Sequence, residues 1–205
     1  MTDTAVLAEM VIYSGENLIT HAFGGNRRDA LISVEALCRT SGTMFSYKMA
    51  TVAIPEAPAC PDPIAVVIAH PSTRERLTAR ALADVLIRER GWWRVLQMAP
   101  IALALQRCSE PIPADVTYVS ILAVHPDMRS LGIGSKLLRH AETCARNEGD
   151  QAICLDVEID NPRAISFYER NGYQTESERP GSPYLRSHGI AGMRRMFKDL
   201  TGTKA

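Results

Sequence analysis

Residues 125–135 read "HPDMRSLGIGS" and follow "VTYVSILAV" (116–124), an apolar run of the kind that forms a buried strand. An arginine and two glycines then lead into Ser135, Lys136 and two leucines, the opening of a helical pattern. A tight glycine turn between strand and helix leaves the first amide groups of the helix without internal partners. Such groups suit an anion, commonly a phosphate, because the helix end carries roughly half a positive charge.

Three phosphate patterns compete for this turn. A dinucleotide fingerprint requires G-x-G-x-x-G, and Leu137 stands where its third glycine belongs. An NTPase loop requires Gly-Lys-Ser/Thr, which the chain lacks. The remaining pattern, Arg-x-x-Gly-x-Gly directly after a strand, is that of coenzyme A pyrophosphate sites. A plain strand-to-helix turn whose glycines merely permit tight geometry is the alternative.

The segment "LAVHPDMRSLGIGSKLL" (122–138), followed by "NPRAISFYERNGY" (161–173), resembles the GNAT superfamily of acyl-CoA-dependent N-acyltransferases. The resemblance covers residues 116–175 and, in outline, the hairpin at 45–70. It implies an α/β fold: a mixed, mostly antiparallel sheet flanked by helices, with the strand ending "LAV" splayed from its neighbour. It implies acetyl-CoA as co-substrate. Leu122, Ala123 and Val124 would contact its pantetheine arm, Arg129, Ser130, Leu131, Gly132, Ile133, Gly134 and Ser135 would lie at its pyrophosphate, and Asn161 would touch the arm while capping its own helix. Tyr168 falls where the family presents a tyrosine to the coenzyme sulfur.

The chemistry so implied is demanding. An alkyl amine with a pKa near ~10 is only about 0.1% neutral at pH 7, a deficit of roughly 4 kcal/mol that a base or desolvation must supply. The phenol of Tyr168 suits the proton that the leaving thiolate needs; packing on the helix's buried face is its other use. The resemblance offers Asp156 as a candidate base, since some relatives place a carboxylate five residues before the asparagine that Asn161 matches, and Glu158 lies on the same strand face. These two carboxylates would serve as base, as an attractor for a cationic substrate, or as a solvated edge with no role. The strand of the coenzyme motif offers only Ser120 instead of the glutamate that many relatives carry.

Outward from the motif, residues 4–23 favour helix with an interruption near Gly15, and 28–41 form a second helix. "FSYKMATVAI" (45–54) and "IAVVIAH" (64–70) read as a hairpin around the proline-rich 55–63. A helical insertion at 73–106 divides into 73–90 and 92–106, with Pro100 placed to kink the second piece. Helix 132–147, strand "QAICLDVEID" (151–160), the short helix after Asn161 and a last strand in "GMRRMFKDL" complete a single domain of 205 residues.

Lysine plus arginine equal aspartate plus glutamate, 23 each, so a nucleic-acid partner is not expected. Five cysteines without a CxxC pair argue against a disulfide scaffold and a zinc site and fit a cytoplasmic protein. No signal peptide, no membrane span and no membrane partner are expected. The expected acceptor is a small-molecule amine, with a protein N-terminus or lysine as the alternative, and a homodimer is compatible with the reading. A non-catalytic acyl-CoA-binding regulatory module is the rival from another class. Glu16, Tyr47, Tyr184 and His188 are acceptor-side candidates. His125 belongs to the turn, His70 and His188 read as structural, and Cys144 and Cys154 have no basic partner. Trp92 and Trp93 read as core packing for the insertion, with a lid over the acceptor or an amphipathic membrane-surface patch as the alternatives. Relatives begin with a strand that this chain does not show before its first helix, which would leave a sheet edge uncovered.

Overall fold

The computed structural model describes residues 3–55, 62–72 and 75–202. Most of the proline-rich connector, the start of the helical insertion at 73–74 and Cys60 lie outside these residues.

The chain opens with three helices: α1 (Asp3–Ser14), α2 (Glu16–Phe23) and α3 (Arg27–Arg39). Gly15 separates the first two, and Asn26 caps the third by accepting from the Asp29 amide at 3.0 Å. Strands β1 (Ala50–Ala53) and β2 (Ala65–Pro71) follow. The first is shorter than the expected 45–54, because the Ser46 side chain caps a 3-10 turn at Tyr47–Met49.

Helix α4 (Glu75–Cys108) is the insertion. It breaks at Gly91, whose φ of 76° and ψ of 154° are non-helical, while Pro100 sits inside the second piece without dividing it. The expected boundary at 91 holds, and Pro100 does not divide the second piece, whose Ile101 and Ala104 pack on Leu185 and Ile190.

Strand β3 (Val116–Val124), helix α5 (Ile133–Glu148), strand β4 (Ala152–Glu158) and helix α6 (Pro162–Arg170) carry the coenzyme motif. Beyond them lie β5 (Gln174–Pro180), α7 (Pro183–Ser187) and β6 (Gly192–Asp199). Sequence pattern alone did not announce β5 or α7. "QTESERP" is almost wholly exposed and polar, so it has no alternating pattern; pairing with β6 alone makes it a strand.

The six strands run in the order β1-β2-β3-β4-β6-β5, all neighbours antiparallel except β3 and β4. Both faces are covered. Val66, Ile68, Ile121 and Ala123 pack against α1 to α4, and Ala65, Val67, Val119, Leu155 and Met196 pack against α5 and α6. Among the described residues no strand precedes α1, and β1 forms one edge.

Candidate active site

Strand β3 parts from β4 halfway along its length. The parallel pairing holds from Val116↔Ala152 to Val119↔Leu155 and then stops, while the opposite edge of β3 stays on β2 through Val124↔Ala65. The β2–β3 register shifts at Ile68/Ala69, and Ser120 at that bulge donates to the carbonyls of Met44 and Ile68 at 3.2 Å. Leu122, Ala123 and Val124 therefore present one strand edge to an open cleft of about 960 Å³. The Ser120 hydroxyl thus donates its proton to main-chain carbonyls at the bulge.

The turn that follows is built for exposed amides. Ser130 has φ 67° and Gly132 φ 76°, so the backbone turns sharply before α5 begins. The first amide with a partner within the chain is that of Lys136, bonded to the Gly132 carbonyl at 3.1 Å; those of residues 130–135 have none among the described residues. Gly134 serves packing instead. A Cβ there would lie 3.3 Å from the Phe167 ring and 3.5 Å from Val124, so its bareness lets α5, α6 and β3 meet. Arg129 folds back to donate to the Val124 carbonyl at 3.3 Å.

Asn161 caps α6 by accepting from the Ala164 amide at 3.1 Å and lines the cleft. Tyr168, further along α6, packs edge-on against Phe167. Burial alone pushes its phenol above the usual tyrosine range, and its hydroxyl has no partner among the described residues.

The two acidic candidates differ in their surroundings. Asp156 is held by Arg195 of β6, Nε to Oδ1 at 2.6 Å and Nη2 to Oδ2 at 3.0 Å, and also accepts from the Tyr118 hydroxyl at 3.2 Å. Arg195 and Tyr118 carry no motif signal; only the register of β4 with β6 brings Arg195 opposite Asp156. Glu158 has no such partner among the described residues. Burial first, and the neighbouring Asp160 second, raise its carboxyl above the ordinary range. Gly15, at the α1–α2 bend, approaches it so closely that a Cβ would lie 3.5 Å from Oε1.

The cleft carries both signs of charge. Arg129 and Arg139 line it beside the turn and α5, with Arg163 and Arg170 on α6; Glu16, Glu158 and Asp160 line it at the α1–α2 bend and the end of β4. Of the other acceptor candidates, Tyr184 and His188 line a separate cavity of about 200 Å³ with His21, Arg90 and Arg94, and Tyr47 lines neither. His125 belongs to the turn as expected, accepting from the Asp127 amide. Cys154 is buried and its thiol pushed up to about 12 by desolvation. Cys144 does have a basic neighbour, His140 Nε2 at 3.5 Å, because the two are one helical turn apart on α5. Trp92 and Trp93 are not core residues: they are 66% and 58% exposed. No group of three metal-ligating side chains exists among the described residues.

Residues 91–173 match the acetyltransferase (GNAT) family. N-alpha-acetyltransferase 30 of Schizosaccharomyces pombe is 41% identical over 56 residues, which span 27% of this chain and 37% of that protein. Peptidyl-lysine N-acetyltransferase YjaB of Salmonella typhimurium is 29% identical over 96 residues, 43% of this chain and 63% of that one. The matches thus span less than two thirds of the length of these curated relatives. An N-acetyltransferase structure from Staphylococcus aureus Mu50 superimposes with a TM-score of 0.70 at 15% identity, covering 95% of this chain and 94% of that one. The splayed strands and the open amide turn lie in the segment that matches the acetyltransferase (GNAT) family, and the chain as a whole has the fold of the Staphylococcus aureus N-acetyltransferase.

Proposed function

We propose that the chain is an acyl-CoA-dependent N-acetyltransferase that passes an acetyl group from acetyl-CoA to a primary amine by direct attack in a ternary complex. The observation that carries this reading is the two-signed cleft. Free amides at 130–135 and four arginines suit the phosphates of the coenzyme, and the acidic end suits a protonated amine.

Glu158 is the base in this reading, in preference to Asp156. A carboxylate whose oxygens are both engaged by a guanidinium has little left for an incoming ammonium. Glu158 has no such partner among the described residues, and its affinity for a proton is raised. Asp156 then holds Arg195 and shapes the end of β4. The unpaired edge of β3 at Leu122–Val124 polarises the thioester carbonyl through the main chain. Tyr168 keeps its proton because burial disfavours the phenolate, and gives it to the departing thiolate, whose own protonation the same burial favours.

A small cationic amine is the first candidate acceptor. A polypeptide α-amine or lysine is the second, favoured by the names of the two curated relatives. Thiol release from acetyl-CoA, measured against diamines, aminoglycoside-like amines and short peptides, separates these. Coenzyme binding without thiol release for any amine would instead support the binding module without turnover.

A further inference from the structure

The cavity of about 200 Å³ lies where the end of α2, the region around the Gly91 break of α4, and α7 meet. A Cβ on Gly24 would lie 2.7 Å from the Asp29 Cβ, so a bare residue there lets the end of α2 press on the first turn of α3. Asn17 of α2 holds the end of α7, its Nδ2 donating to the carbonyls of His188 and Gly189 at 3.2 and 3.0 Å. Asn17 and Gly189 line the cleft while His188 lines the cavity, and the two spaces share no lining residue among those described.

Along α4 the lining changes from cationic to apolar. Arg90 and Arg94 flank the Gly91 break, and Met98 and Ile101 follow Arg94 by one and two helical turns on the same face. Both arginines face Asp29, Arg90 at 2.5 Å and Arg94 at 3.7 Å, the second beyond hydrogen-bond distance. No acidic side chain lines the cavity, so two guanidinium groups share the one carboxylate of Asp29 and a positive charge is left over. The wall from α2 and α7 is aromatic. His188 meets His21 edge-on at 5.4 Å and Tyr184 at 4.6 Å. Nδ1 of His21 lies 2.9 Å from the Asn17 carbonyl and Nδ1 of His188 2.8 Å from that of Tyr184, which holds both rings in place.

These features select the chemistry of an occupant. The surplus charge repels a cation. The main-chain amides that commonly complete a phosphate site are taken, since those of Gly24 and Gly25 both bond to the Thr20 carbonyl. A carboxylate matches a guanidinium fork directly, and a flat apolar body matches the rings and Met98. The volume lies below the ~300–1,000 Å³ of sites for drug-sized molecules, which leaves room for a body of about one ring. We infer that the cavity between α2, α4 and α7 binds a small aromatic carboxylate, its charge at Arg94 and Arg90 and its ring against Tyr184 and His188. No residue lining the cleft takes part, so the inference does not rest on the acyl-transfer reading.

Ligand-observed NMR titrations of the full chain with benzoate, benzamide, acetate and inorganic phosphate, at constant ionic strength, test this. Benzoate should bind, with benzamide, acetate and phosphate each weaker by at least about tenfold, because each lacks the planar charge or the ring. Arg94→Gln and Tyr184→Ala, both at exposed positions, should each weaken benzoate by about tenfold with circular dichroism unchanged. Arg139→Gln, in the cleft, should leave benzoate binding as it is. Absence of benzoate binding would overturn the inference, and so would benzamide or phosphate binding as tightly as benzoate. A loss caused by Arg139→Gln but not by Arg94→Gln would place the carboxylate in the cleft and overturn it as well.

Discussion

Arg195 holds both carboxylate oxygens of Asp156, at 2.6 and 3.0 Å, from the neighbouring strand β6. Their side chains are only 3% and 10% exposed, and the second Arg195 nitrogen also donates to the Glu110 carbonyl. A buried pair of this kind is costly to break from one side, because the surviving charge keeps its burial and loses its partner.

Asp156→Asn should therefore act first on the fold. The loss expected from stranding a buried guanidinium is about 3–5 kcal/mol, read from urea denaturation, with Arg195→Met giving a loss of the same order. If Asp156→Asn unfolds normally but moves the acid limb of the pH–rate profile, the base is Asp156 and the assignment to Glu158 fails.

Glu158→Gln separates catalysis from stability in the opposite sense. The folded state raises this carboxyl, so Glu158 supports the fold while both states are protonated, below the unfolded carboxyl range, and that support is lost as pH rises through the higher folded value. The glutamine variant should match the parent at low pH and melt at a higher temperature at neutral pH. Its turnover should fall by roughly 100-fold, with the acid limb of kcat/KM flattened.

Tyr168→Phe removes a hydroxyl without emptying the ring's place beside Phe167 and Tyr173. The expected outcome is a kcat lower by about 10- to 100-fold with the coenzyme's binding constant nearly unchanged. A larger change in coenzyme affinity than in kcat would return Tyr168 to a packing role.

The two glycines of the turn should fail for different reasons. Gly132→Ala meets no atom within 4 Å but must hold φ 76°, a strain of about 1 kcal/mol, so stability falls slightly. Gly134→Val pushes side-chain atoms into Phe167 and Val124, which closes the junction of α5, α6 and β3. Calorimetry with acetyl-CoA should show weakened binding for the first and none for the second.

The turn at 125–135 is readable from composition and spacing, because its geometry is local: glycines, a strand end and a helix start lie within a dozen residues. The same holds for Asn161 as a cap and for the breaks at Gly15 and Gly91, each settled by backbone conformation in its own neighbourhood. Strand β5 is not readable, since a polar, exposed segment has no period, and only β6 supplies its partners.

The different surroundings of Asp156 and Glu158 lie beyond any local pattern. On the strand they are two residues apart and chemically alike. Arg195, 39 residues downstream, reaches one and not the other because antiparallel pairing sets it opposite Asp156. The outward face of α4 is of the same kind. Its second piece is apolar on more than one side, and which side meets solvent depends on where α2, α3 and α7 leave it uncovered. Local conformation follows from residues that are neighbours in the chain; burial and ion pairing follow from residues that folding alone makes neighbours.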